Sequence, residues 1–380
     1  MSFALPCDLC ARSLEALIER IGENQTLALT GLLIGLAFGF LAQRSRFCLR
    51  SAVIEFGRNL TGGKLTVWLF AFATALLATQ ALALAGWFDA RDARQIAMRG
   101  SLSGAAIGGA LFGIGMILAR GCSSRLLVLA AQGNLRSMIS GLVFAVTAQA
   151  SWTGILAPVR EAISQWWTID GGSSRDLIAR TGIGHGGALL FGLVWLAAAV
   201  LWARRQRVPV WGWAGAIGVG LTIAAAWWAT FAVAKAAFDP HPIQALSFTG
   251  PSAELLTRVL FVTDKPPGFD LGLVPGVFIG SFIAAALFRE LKLEGFEGGA
   301  SMRRHIAGAV CMGFGGMLAG GCAVGAGLSG AAVFTITSWV TLAAMWAAAV
   351  LTDRLVDQGP GGALDQPVPQ SGTLARARPA

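Results

Sequence analysis

The sequence predicts an all-α, polytopic membrane protein of about nine transmembrane helices, arranged as a pseudo-symmetric inverted repeat with broken helices. Three observations carry this. Of the 380 residues, 55% are hydrophobic and 13% are charged, against about 25% charged in soluble domains. Residues 65–88, 100–119, 137–159, 181–203 and 208–234 contain no Lys, Arg, Asp or Glu, and 306–352 contains none over a length sufficient for two spans; one span needs roughly 20 apolar residues. Lastly, Gly113-Ile-Gly-Met-Ile-Leu-Ala-Arg-Gly-Cys122 and Gly313-Phe-Gly-Gly-Met-Leu-Ala-Gly-Gly-Cys322 stand 200 residues apart and agree at six of ten positions. A large soluble core would need charged outer faces on these helices, and they have none.

Residues 1–26 read as an N-terminal amphipathic segment, not a cleavable signal, because Asp8, Arg12, Glu15, Glu19, Arg20 and Glu23 precede any apolar run. Spans are expected at about 26–43, 65–88, 101–119, 137–157, 183–203, 211–235, 271–288, 305–319 and 331–352. Residues 27–160 would form a first repeat of spans one to four. Residues 161–210 connect, carrying span five, and 211–352 form a second repeat of spans six to nine. Residues 353–380, rich in Pro, Gly, Gln and Arg, read as a disordered tail. Gly31, Gly35 and Gly39, spaced by four, are expected to pack helices closely. Thirteen tryptophans without a tyrosine fit interfacial anchoring.

The net charge of +9 follows from basic residues at span ends, so membrane topology is the simpler cause and nucleic-acid binding is not expected. An anionic solute is a second cause compatible with the first. With the N-terminus outside, 18 Lys and Arg fall in cytoplasmic segments and 11 in outer ones. The bias predicts a periplasmic N-terminus and a cytoplasmic C-terminus in a bacterial inner membrane. Five spans separate the two Gly-Cys segments, so the copies should run in opposite directions.

Inverted repeats of this kind place solute sites at helix breaks near the midplane. Both Gly-Cys segments read as breaks. Ser123 and Ser124 follow Cys122 before a second apolar half, and Ala-Val-Gly-Ala-Gly-Leu-Ser-Gly follows Cys322. Irregular backbone at membrane depth persists only where it is packed in protein or lines a cavity. A half-helix starting at a break directs free N–H groups and a positive dipole end at it, which favours an anion. A third sulfur, Cys48, lies in Gln43-Arg-Ser-Arg-Phe-Cys-Leu-Arg50 with three arginines around it and no matching cysteine near span six. The candidate solute-binding residues are Cys48, Cys122, Cys322, Gly121, Gly321, Ser123, Arg46, Arg120 and Arg125.

Other motifs carry less. Gly325–Gly330 fits a dinucleotide pattern with no preceding strand, and Gly57–Lys64 approaches a P-loop with the lysine one place late and Leu65 in place of Ser or Thr. His185, His241 and His305 have no metal spacing, so neither metal nor cofactor is expected. Cys7 and Cys10 read as an incidental or structural pair, and Cys311 as a small packing residue.

The three sulfur motifs together resemble the YeeE/YedE family of sulfur-compound transporters, over about residues 28–352. Arg44-Ser-Arg-Phe-Cys48 resembles that family's first cysteine motif, and the segments ending at Cys122 and Cys322 its paired central cysteines. The resemblance implies passage of thiosulfate along cysteine thiols, often with a small soluble sulfur carrier of the TusA type as partner. Arg120 and Arg125 stand where the family pattern has small residues. Physical chemistry points the same way: a dianion in hydrocarbon needs fixed donors to replace its water, and a neutral thiol is a soft, weak donor from which a solute can leave. Two further readings are a membrane sulfurtransferase that carries a cysteine persulfide and transport of another sulfur or selenium compound.

Overall fold

The computed structural model describes residues 16–60, 62–206, 208–261, 266–296 and 299–358. Cys7, Cys10 and the tail beyond residue 358 lie outside them. Thirteen helices concern the site: α1 (Glu23–Ser45), α2 (Leu49–Gly57), α3 (Lys64–Leu84), α4 (Leu102–Leu118), α5 (Ser123–Ala131), α6 (Leu135–Trp152), α7 (Ala157–Gln165), α8 (Gly184–Arg205), α9 (Val210–Ala236), α10 (Thr249–Leu260), α11 (Phe269–Leu287), α12 (Gly299–Leu318) and α13 (Ile336–Thr352). The described strands are two residues each, Gly100–Ser101 paired with Thr168–Ile169.

Seven units are long and apolar enough to cross a bilayer: α1 with α2, α3, α4 with α5, α8, α9, α11, and α13 with the turn after it. The pair α6 and α7, bent by 66°, makes an eighth. The remaining expected span is α12, whose 20 residues suffice in length but whose first turns carry Arg303, Arg304 and His305. The ninth span, expected from residue 331, begins as a helix only at Ile336, because Gly325–Gly330 forms a π-helical turn first. Asp353–Asp357, expected in the tail, continues as a helical turn. It is held because Arg58 bonds Asp353 at 2.7 Å, and both Arg50 (3.6 Å) and Arg304 pair with Asp357.

Glycine sets the packing. A Cβ on Gly31 would lie 2.1 Å from the Phe269 carbonyl oxygen, one on Gly35 2.5 Å from that of Leu273, and one on Gly39 2.2 Å from that of Val277. Backbone therefore meets backbone along α1 and α11, as the spacing by four predicts. Residue numbers rise together along this contact, so the two helices run parallel. Along α4 and α12 they run oppositely: Gly104 abuts the Leu318 carbonyl, Gly108 that of Gly315, and Gly115 that of Gly308, at 2.5–2.6 Å. The two helices that lead into the Gly-Cys segments are thus antiparallel.

The packing partners exchange in pairs. Helix α1 packs on α11 as α9 packs on α3; α4 packs on α13 as α12 packs on α6; α2 packs on α3 as α10 packs on α11. Helix α5 meets α11 and α6, as the π-helical turn meets α3 and α13, while α8 packs on α3 with no counterpart of similar extent among the described residues. Loop contacts also divide into two sets. At one end Gln43 and Arg44 bond Glu290, Asn134 bonds Glu294, and Arg58 bonds Asp353. At the other, Glu23 accepts from Phe238, Lys235 pairs with Asp92, and Arg175 donates to Thr337 at 2.7 Å. These are the two sets of segments that alternation of spans assigns to opposite faces.

Candidate functional site

Each buried cysteine follows the same backbone device. Helices α1, α4 and α12 end in a left-handed residue, Arg46 (φ 54°), Arg120 (φ 54°) and Gly320 (φ 76°). The next residue, Phe47, Gly121 or Gly321, sends its N–H five residues back, to the carbonyls of Ala42, Met116 and Gly316. This pair of turns closes a helix C-terminus and satisfies its last carbonyls. The cysteine comes next, and a new helix starts from it. Cys48 and Cys122 are the N-cap residues of α2 and α5, and the π-helical turn begins three residues after Cys322. Gly121 and Gly321 are thus cap-closing residues; a Cβ on Gly321 would stand 2.9 Å from the Ala326 nitrogen.

The 200-residue offset that joins Cys122 to Cys322 also joins Cys48 to Phe248, and Phe248 is the N-cap of α10. Four half-helix N-termini therefore open at Cys48, Cys122, Phe248 and Cys322. Their free N–H groups and dipoles make a positive interior without a formal charge. The sequence alone showed no cysteine opposite Cys48; the matching position holds an aromatic ring.

Cys48, Cys122 and Cys322 are 6%, 0% and 0% exposed and are unbridged. The Cys48 and Cys122 thiols lie within electrostatic reach of each other, with Ser51 beside Cys48. Cys122 Sγ lies 3.4 Å from Ser124 Oγ. Cys322 is held differently: its sulfur accepts the Phe248 N–H at 3.3 Å and the Gly325 N–H at 3.4 Å. The two sulfur sites are joined by rings. Phe38, fully buried, packs edge-on against Phe47 at 6.5 Å and meets Phe248 with a tilted ring at 5.4 Å.

The arginines sort into two kinds. Arg44 pairs with Glu290 at 3.1 Å and lies 3.5 Å over the Phe288 ring, and Arg50 pairs with Asp357. Arg125, half-buried, acts electrostatically on both Cys48 and Cys122, and its Nη1 is buried with no hydrogen-bond partner. Ser123 Oγ is likewise buried without a partner. Arg46 is exposed at the rim, within electrostatic reach of Arg125, and Arg120 supplies the left-handed turn. Unpaired buried donors cost about 1–3 kcal/mol each, so Arg125 and Ser123 beside two thiols suit an anion that would take their hydrogen bonds. Cys311 is half-buried on α12, away from these helix starts. Sequence reasoning missed Phe38 and Phe248; the repeat offset points to Phe248, and nothing in the sequence marked Phe38.

Comparison with known proteins agrees with this chemistry. The chain is 26% identical over 337 residues to the thiosulfate transporter TsuA of Escherichia coli K12, covering 84% of this chain and 92% of that protein. It is 26% identical over 332 residues to the TsuA of Spirochaeta thermophila, covering 82% and 93%. Residues 44–351, from the first arginine of the Cys48 motif into the last turn of α13, match the family described as sulphur transport, and the chain belongs to that family.

Proposed function

We propose that this protein takes up thiosulfate or a related sulfur anion, as a transporter or facilitated channel, by passing it between hydrogen bonds to the thiols of Cys48, Cys122 and Cys322. The observation that carries the reading is the coincidence of sulfur with half-helix N-termini. Each thiol sits where backbone N–H groups and a dipole end offset negative charge, in a core otherwise closed to water. A thiol donor is weak, so no single station holds the ion tightly, which conduction requires. Phe38 would part the inner pair, Cys48 with Cys122, from Cys322, and movement of its ring would connect them.

The antiparallel crossing of α4 with α12 and the paired packing contacts support two inverted halves, 27–160 and 211–352, with α8 in the connector. The segregation of loop contacts supports alternation of the two faces, and the basic bias favours a cytoplasmic Cys48 end and a periplasmic N-terminus in an inner membrane. A small TusA-like carrier would meet the solute at that cytoplasmic end. The nearness of the Cys48 and Cys122 thiols also favours a second reading, in which one thiolate attacks the outer sulfur of thiosulfate, the S–S bond breaks, sulfite leaves with its electron pair, and the cysteine keeps the transferred sulfur as a persulfide. Uptake of labelled thiosulfate by proteoliposomes tests the first reading. A persulfide adduct on Cys48 or Cys122, trapped by mass spectrometry after thiosulfate exposure, would instead support the second.

A further inference from the structure

A groove of about 360 Å³ opens where the end of α2 meets the last turns of α13 and the turn after it, lined by Phe56, Trp346, Ala347, Val350, Leu351 and Arg354. Rings build its wall: Phe56 meets Trp346 edge-on at 5.6 Å, and Trp346 meets Trp68 edge-on at 5.3 Å. Phe56, Leu351 and the neighbouring Leu355 nevertheless remain exposed. The indole nitrogen of Trp346 is buried with no hydrogen-bond partner. Cations gather at the same end. Arg50, Arg58 and Arg304 share the two carboxylates of Asp353 and Asp357. Arg354 is an exposed member of the lining and forms no ion pair among the described residues.

We propose that this groove binds an anionic phospholipid, with its phosphate on Arg354 and one acyl chain along Phe56, Trp346 and Val350. Helices α2 and α13 both belong to units that cross the bilayer, so a groove that opens outward between their ends borders lipid. Aromatic rings at span ends sit at the level of the headgroups. Two acids serve three arginines, so this end keeps a positive charge before Arg354 is added. A guanidinium takes a phosphate through short, charge-assisted bonds. The orientation proposed above sets this end in the cytoplasmic leaflet, whose surface is negative. The segment after residue 358 is the poorer match, since it brings one acid, Asp365, against two cations, Arg376 and Arg378. None of the lining residues belongs to the solute site, so the inference goes beyond the transport reading.

The test is titration of the purified full chain in detergent with phosphatidylglycerol, and separately with phosphatidylcholine of the same acyl chains, read as the affinity of the first lipid bound by native mass spectrometry. Phosphatidylglycerol should bind roughly fivefold more tightly. Arg354→Gln should remove that preference, and Arg354→Lys should retain part of it. Ala347→Trp, which fills the groove, should weaken both lipids. Thermal melting checks that each variant is folded. Equal affinity of the wild type for the two lipids would overturn the site, as would a preference indifferent to Arg354→Gln or binding indifferent to Ala347→Trp. Phosphatidylglycerol binding that arises only after residues 359–380 are removed would also overturn it, because the tail would then be the occupant.

Discussion

The Cys122 and Cys322 breaks share a backbone and differ in charge. Both follow a helix closed by a left-handed residue, both open a new helical segment, and their parent helices cross glycine to glycine. Around Cys122 the left-handed residue is Arg120, Arg125 follows the thiol, and a second thiol, Cys48, lies within electrostatic reach. Around Cys322 the same places hold Gly320 and Gly325, and the sulfur is fixed by two backbone N–H groups. The difference teaches that one backbone geometry occurs twice, whereas the cationic residues accompany only one of the two breaks. An ion crossing from the Cys322 side would leave a neutral cradle for a basic one.

The largest effect expected within this comparison comes from Arg125→Leu. It removes the buried guanidinium that serves both Cys48 and Cys122, and labelled-thiosulfate uptake should fall roughly 10–100-fold. Loss confined to the maximal rate with an unchanged half-saturation concentration would show that Arg125 does not bind the ion.

Next comes the shared crossing. Gly108→Ala and Gly308→Ala each force a methyl to within 2.5 Å of backbone on the opposite helix. Each should destabilise the protein by about 1–3 kcal/mol, read as a fall in melting temperature. Equal costs are expected, because the two contacts mirror one another; a large cost at one position alone would break the equivalence of the halves.

The smallest effect is expected from Arg120→Gly. A left-handed backbone at a residue with a Cβ costs about 1 kcal/mol, so glycine should raise thermal stability slightly while lowering uptake severalfold. A drop in melting temperature would mean that Arg120 contributes more through its contacts than its backbone costs.

Much of this was legible in the sequence, for physical reasons that can be named. Charge-free runs marked the spans, and the spacing of Gly31, Gly35 and Gly39 marked the α1–α11 contact. The repeated Gly-Cys segments marked both breaks, and the parity of spans between them predicted the antiparallel crossing. What stayed hidden depends on tertiary contact. Asp353 and Asp357 read as tail residues until their partners Arg58, Arg50 and Arg304 are seen. Arg44 and Arg50 read as neighbours of Cys48, but their acids come from distant positions, Glu290 and Asp357. Phe38 looks like any apolar residue of α1 until its ring is found between Phe47 and Phe248.

The central claim is that the helix-start thiols carry the sulfur anion. The direct measurement is initial-rate uptake of labelled thiosulfate into proteoliposomes holding wild type, Cys48→Ala, Cys122→Ala, Cys322→Ala or Cys311→Ala at matched protein levels. The account predicts that the first three substitutions abolish or strongly reduce uptake, that Ser at the same positions leaves a partial rate, and that Cys311→Ala transports like wild type. Wild-type rates from Cys122→Ala and Cys322→Ala, with loss at Cys311→Ala, would contradict it.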